Sequence, residues 1–152
     1  MNLAHYLGLL HNAEVELGKA FREVGRGHRE EPDVYALSLK LAAQCDVHAQ
    51  RLRPFADRYG EEAHDEPERL HSELFQGTRG GGLGLLRDLH DLYLMACECE
   101  IAWTLVGQAA QGARDTELFE VVQRCAGETS VQLKWLSTRM KQAAPQALVV
   151  AP

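Results

Sequence analysis

The sequence lacks the features that mark several common classes of protein. Its 152 residues carry 16 Lys and Arg against 22 Asp and Glu, a formal net charge of −6. This balance disfavours nucleic-acid binding and a polybasic membrane surface. No apolar run approaches the roughly 18–20 residues that a membrane helix needs. The N-terminus has neither the basic region nor the small-residue cleavage site of a signal peptide, so none is expected.

Cysteine is scarce and shows no pairing pattern. The four cysteines form neither a C-x-x-C motif nor a disulfide framework, and they are Cys45, Cys97, Cys99 and Cys125. We therefore expect a reduced, cytoplasmic protein. The length suits one domain. No segment alternates apolar and polar residues as a strand would, so the fold class is predicted to be all-α.

Apolar residues recur at spacings of three and four along most of the chain, which predicts four helices. The predicted ranges are 3–25, 33–59, 83–111 and 116–142, with a bundle over 1–143 and a frayed, flexible tail over 144–152. The inward row of the third helix is predicted as Leu86, Leu89, Tyr93, Ala96, Glu100, Trp103 and Gly107, which leaves Cys99 outside the core. Residues 67–75 are predicted to form a short helix.

The glycine-rich stretch 77–84 resembles a phosphate-binding loop at first sight. It lacks the Lys-Ser/Thr pair of such a loop and no strand precedes it, so a flexible connector is predicted instead. The three connections are short, long and short. A long middle connection can run the length of the bundle and make helices two and three parallel, which predicts a ferritin-like crossover.

Ionisable residues occur near the middle of all four helices. Glu14, His48 and Glu100 fall on the predicted inward rows, and Glu128 lies at the edge of one. A carboxylate in an apolar core is costly unless a cation, a hydrogen-bond network or water receives it. Three acids and an imidazole at one level are the layout of a di-metal carboxylate site. Surface positions are expected for the histidines outside this set, which are His5, His28, His64, His71 and His90.

The segments around these residues carry a family resemblance. The stretches 13–17, 45–52 and 99–102 resemble the ferritin-like superfamily, and within it the YciF-type stress proteins, over residues 3–142. The resemblance implies a dimeric four-helix bundle with a central metal site. Glu14, His48, Glu100 and Glu128 match four of its ligand positions. Cys45 stands where a glutamate is expected, and Val131 where a histidine is expected.

These two departures favour a non-enzymatic stress-associated or interaction protein with a degraded centre and no cofactor. The alternative is a metalloprotein that binds one or two ions of iron, manganese or zinc at Glu14, His48, Glu100, Glu128 and Cys45. It would handle oxygen, peroxide or metal.

A third possibility is a site for a soft metal or for redox chemistry. It rests on two predicted layers, one of Glu14, Cys45, Cys97 and Glu128, and the next of His11, His48, Glu100 and Cys125. Thiolate and imidazole ligands suit zinc or copper. A homodimer is predicted separately, with apolar contacts from Leu9, Leu39, Leu94 and Leu105.

Overall fold

The computed structural model describes residues 2–60 and 74–150, and these residues form α-helices without any strand. The helices are α1 (Leu3–Gly27), α2 (Pro32–Gly60), α3 (Gly81–Gly112) and α4 (Thr116–Pro145), followed by a short π-helix over Gln146–Val150. The prediction of an all-α fold with four helices is confirmed. Within the described part of the chain, no helix is long and apolar enough to cross a membrane.

Helix α1 has the inward face that its sequence predicts. Its apolar residues at spacings of three and four are buried, and they are Leu3, Leu7, Leu10, Leu17, Phe21 and Val24. A row with this spacing lies along one side of a 3.6-residue helix. Glu14 lies on the same row and is also fully buried. The helix therefore carries one carboxylate into the core.

The contacts between helices bring particular ends together. Helix α1 packs along α2 and α3, and α3 packs along α4. At one end of the bundle, Arg58 Nη1 donates to Asp115 Oδ2 at 2.8 Å. At the other end, Arg139 Nε donates to Asp33 Oδ2 at 2.7 Å. The end of α2 thus lies beside the start of α4, and the end of α4 lies beside the start of α2.

Helix α3 buries part of its predicted inward row: Leu89, Ala96, Trp103 and Gly107 are buried, whereas Leu86, Tyr93 and Glu100 are half-buried. Its buried row is Leu85, Leu89, Leu92, Ala96, Cys99, Trp103, Val106 and Ala110. Cys99 is therefore fully buried, whereas Glu100 is half-buried. The error has a physical reason. Apolar side chains lie on nearly every side of α3, so the apolar period does not define one face.

The ends of α4 differ in how well the sequence predicts them. The helix begins at Thr116 as predicted, and Asp115 caps it, because its Oδ1 accepts from the Leu118 backbone N–H at 3.1 Å. The end was predicted near residue 142, but the helix continues to Pro145 and the π-helical turn follows. Ala143 is buried and the turn contacts α3. Because of this packing, helical structure extends into the region that was predicted to be a frayed tail.

The residues before α3 are held against the bundle. Residues 74–80 are not helical, and most of the helix predicted over 67–75 lies outside the described residues. A Cβ on Gly84 would come within 2.6 Å of the Arg79 carbonyl carbon. Gly81 also has a φ of +74°, which favours glycine. Gly84 thus permits the Arg79 backbone to approach α3 closely, whereas most of the predicted connector over 77–84 is exposed.

Candidate functional site at the bundle centre

Glu14 is the buried charge-bearing group at the centre of the bundle. Its Oε1 accepts a hydrogen bond from Trp103 Nε1 at 2.8 Å. The same oxygen lies 3.2 Å from His48 Nδ1. Because an indole N–H can only donate, this oxygen acts as an acceptor, and we assign Nδ1 of His48 as a second donor to it. Three helices thus supply one hydrogen-bonded group.

Three polar atoms of this centre have no hydrogen-bond partner in the described part of the chain. They are Glu14 Oε2, His48 Nε2 and Gln132 Oε1. His48 Nε2 lies 3.8 Å from Glu128 Oε1, which is beyond hydrogen-bond distance. Buried groups without partners are costly and call for an explanation such as a water, an ion or a role in function.

Side-chain amides connect the centre to its edge. Gln132 Nε2 donates to Gln44 Oε1 at 2.7 Å. Gln44 Nε2 in turn donates to Glu128 Oε2 at 2.6 Å. The side chain of Glu128 is 35% exposed, in agreement with its predicted position at the edge. The Glu128 carboxylate is therefore held by an amide and stays in contact with solvent.

Sequence reasoning missed Gln132. The ferritin-like pattern drew attention to position 131, but Val131 is 62% exposed and Gln132 is fully buried. Gln132 is one helical turn after Glu128, and residues four apart share a helix face. That spacing was a signal that could have identified it. Trp103 was predicted as a packing residue, and it also donates to Glu14.

The thiols around Glu14 are shielded. Burial raises the pKa of Cys45 and Cys99 well above the ordinary thiol value, and the neighbouring Glu14 carboxylate adds to both increases. For Cys125, burial together with Glu14 and Glu128 raises the pKa to about 12. Since the thiolate is the metal ligand and the nucleophile, these three cysteines are held in their unreactive form.

The structure brings together some of the predicted site residues and separates others. Glu14 and His48 are in contact, Cys45 is close to Glu14, and Glu128 approaches His48 from the edge. Glu100 is half-buried and does not lie on the inward row of α3. Both predicted layers are wrong on α3, because Cys99 and not Cys97 is the buried thiol and Glu100 does not lie on the inward row.

These residues do not fit a di-metal carboxylate centre. Such a centre takes a glutamate from each of two helices and a glutamate with a histidine from each of the others. Cys45 and Val131 replace two of those ligands, and Glu100 is displaced from the inward row. Within the described residues, no three His, Cys, Asp or Glu side chains lie close enough to hold an ion.

A second buried cluster lies at the end of the bundle where α1 ends and α3 begins. His28 Nε2 is 2.7 Å from Asp88 Oδ2, and the Arg79 backbone N–H donates to the same oxygen at 2.9 Å. The Arg79 guanidinium bonds Asp88 Oδ1 at 2.8 Å and Asp91 Oδ2 at 2.9 Å. The prediction of a surface His28 is therefore wrong. The position of His28 after the end of a helix gave no indication that it would be buried beside Asp88.

Comparison with protein-family models, curated proteins and solved structures finds no match to this chain. The ferritin-like resemblance therefore rests on the residues of the sequence itself. The chemistry of the centre has to be argued from its own contacts.

Proposed function

We propose that this protein is a ferritin-like bundle whose metal centre has degenerated, and that it acts as a non-enzymatic stress-associated or interaction protein. The observation that carries the proposal is the state of Glu14. One of its oxygens is bonded by Trp103 and His48. These donors stabilise a buried carboxylate by hydrogen bonding and make a metal ion unnecessary for that purpose.

The ferritin-like topology is part of this proposal. The end contacts of α2 with α4 make these two helices antiparallel. His28, at the end of α1, meets Asp88 in the early part of α3. Both sets of contacts favour α2 and α3 running in the same direction, with a crossover between them. The path of residues 61–73, which would make the crossover, lies outside the described residues.

The second candidate function is that of a metalloprotein with a single bound ion. The unpartnered atoms Glu14 Oε2 and His48 Nε2 favour it, since both are buried and both can bind a metal. Glu128, whose Oε1 lies 3.8 Å from His48 Nε2, would have to move closer to act as a third ligand. An ion bound there would supply Lewis-acid or redox chemistry, while Trp103 and the Gln44–Gln132 pair would orient the protein ligands.

Elemental analysis separates the two candidates. The protein is purified without chelator and without a metal-affinity step, and iron, manganese, zinc and copper are measured per chain. Trace amounts support the degenerate centre. A ratio near one metal per chain that falls to trace in a Glu14→Gln variant supports the metalloprotein. The Glu16→Gln variant, which changes an exposed carboxylate on the same helix, serves as the matched control.

The cytoplasmic location and the stress-associated role are further parts of the proposal. Four free cysteines favour a reducing compartment. The stress-associated role is supported by the family resemblance alone. Immunodetection in cell fractions, and protein levels before and after oxidative or osmotic stress, test both points.

A further inference from the structure

An apolar groove lies where the start of α1 is packed beside the end of α3. Its volume is about 620 Å³, within the range of roughly 300–1,000 Å³ that is typical of small-molecule sites. None of the residues of the bundle centre lines it. The groove is lined by Asn2, Leu3 and Tyr6 of the first segment and by Leu105, Val106, Ala109, Gly112 and Ala113 of the second.

Small side chains create this groove, and larger ones form its walls. Ala109, Gly112 and Ala113 leave the last turn of α3 without bulk on the groove side. A Cβ on Gly112 would have no atom within 4 Å, so the space beside this glycine is open. Tyr6 and Leu105, which are 36% and 46% exposed, border the space. A side chain introduced at position 112 would therefore extend into the groove without meeting the bundle.

The groove has no charged side chain. None of its lining residues is Asp, Glu, Lys, Arg or His. The two helix ends beside it are not compensated by charge either, because α1 has no acidic residue in its first turn and α3 has no basic residue in its last turn. Their half-charges have opposite signs and offset each other. These surroundings favour a neutral occupant over an ion, and the Tyr6 hydroxyl or the Asn2 amide can bond one polar group of it.

The exposed apolar turn of this chain lies too far away to cover the groove. The turn over Gln146–Val150 begins beside Gly82 and Leu85, at the start of α3. At 1.5 Å per residue, Leu85 and Gly112 are about 40 Å apart along the helix. The concave shape also suits a small molecule better than a protein partner, whose contact would be broader and flatter.

We propose that this groove binds an uncharged and largely apolar small molecule, such as an aromatic ring system with one hydrogen-bonding group. The apolar body of the ligand lies between Tyr6 and Leu105, over Ala109, and its polar group faces the Tyr6 hydroxyl or the Asn2 amide. The site does not depend on the function proposed above. Its failure would leave the account of the bundle centre unchanged.

Fluorescence titration of the full chain with N-phenyl-1-naphthylamine tests the site. This neutral dye shares its ring system with the anionic dye 8-anilinonaphthalene-1-sulfonate. We expect saturable binding of one neutral dye per chain and weaker binding of the sulfonate. Gly112→Leu should weaken binding of the neutral dye by at least about tenfold, because the new side chain occupies the groove. Gly127→Leu, at an exposed glycine of α4 that also has open surroundings, is the matched control and should leave binding unchanged.

The preference for a neutral ligand has a separate test. Ala113→Lys places a cation at the end of α3, beside the groove. It should tighten binding of the sulfonate by about two- to fivefold and leave the neutral dye nearly unaffected. Gly127→Lys adds the same charge away from the groove and should change the binding of neither dye.

Four results would overturn the proposal, once circular dichroism has shown that each variant is folded. The first is the absence of saturable binding of the neutral dye. The second is an equal effect of Gly112→Leu and Gly127→Leu, and the third is binding of the sulfonate to the wild type as tight as that of the neutral dye. The fourth is binding that falls as the protein concentration rises, because a second copy of the chain would then be covering the groove.

Discussion

The bundle contains two buried carboxylate–histidine pairs that differ in how completely they are satisfied. Asp88 has both oxygens bonded, by His28 and by the backbone and guanidinium of Arg79. Glu14 has one oxygen bonded twice, and its other oxygen has no partner in the described part of the chain. A satisfied pair fastens helices together, whereas an incompletely satisfied pair leaves a buried polar atom whose cost no hydrogen bond offsets.

The comparison of the two pairs predicts that substitution of Asp88 has the largest effect on the free energy of unfolding. Asp88→Asn should lower the free energy of unfolding by about 3 kcal/mol, because it removes the charge that pairs with His28 and Arg79 and replaces one of the two bonded oxygens with an NH2 group that faces a donor. Denaturant titration measures the change. Asp57→Asn, which alters an exposed aspartate on α2, should stay within about 0.5 kcal/mol. A loss below 1 kcal/mol at Asp88 would show that the end cluster does not fasten the bundle.

Asp115 at the start of α4, whose two oxygens are both hydrogen-bonded, is expected to have an effect of intermediate size. Burial opposes ionisation of Asp115, but hydrogen bonds from Tyr59, the Leu118 N–H and Arg58 together lower its pKa. Asp115→Ala should cost about 1–2 kcal/mol at neutral pH through loss of the cap and these bonds. Glu117→Ala, at an exposed partner of Arg58, should cost far less.

The pH dependence of that cost follows from the direction of the shift. Because the pKa of Asp115 is lower in the folded state, its ionisation stabilises the protein fully above the unfolded pKa. The contribution is lost as the pH falls through the folded pKa. The difference between wild type and Asp115→Ala should therefore shrink below about pH 4. A difference that grows on acidification would contradict the assignment.

The smallest effect on stability is expected at the centre. Glu14→Gln should change the free energy of unfolding by less than about 1 kcal/mol, in either direction. The amide oxygen still accepts from Trp103, and the change removes a buried charge while keeping the shape. Glu16→Gln is the control on the exposed side of α1. A loss as large as that of Asp88→Asn would erase the distinction between the two pairs.

Thiol labelling sharpens the description of the centre. Cys97 is half-buried, and burial with the nearby Glu100 raises its pKa. Cys45, Cys99 and Cys125 are fully buried. One thiol per folded chain should react slowly with an aromatic disulfide reagent, and the other three only after unfolding. Loss of the native-state reaction in Cys97→Ser identifies the thiol, and fast reaction of a second thiol would contradict the shielding.

The sequence predicts the inward row of some helices correctly and that of others only in part. The inward row of α1 follows from its spacing, because polar residues occupy the opposite face. The inward row of α3 does not, because Tyr93, Leu94 and Ile101 are apolar on its outer sides as well. The sequence therefore predicted Glu100 on the inward row and Cys99 outside the core, whereas the structure buries Cys99 and leaves Glu100 half-buried. The His28–Asp88 pair joins residues 60 positions apart, and no local pattern encodes such a contact.

The centre was predictable where residue type and spacing agree. Glu14 and His48 lie on clear inward rows, and they meet. Gln44 and Gln132 were not predicted as part of the centre, because amides carry no net charge and neither residue belongs to a metal-ligand motif. Their roles follow from the hydrogen bonds that link them to Glu128.

The most direct test of a metal-free centre is the free energy of unfolding of chelator-treated wild type, with and without added Zn²⁺, Mn²⁺ or Fe²⁺. Glu14→Gln is measured in parallel. A bound ion at one hundred times its Kd would add about 2.7 kcal/mol to the stability of the wild type. The account predicts that no added ion changes the free energy of unfolding of either protein beyond error. A gain of that size in the wild type, absent in Glu14→Gln, would contradict it.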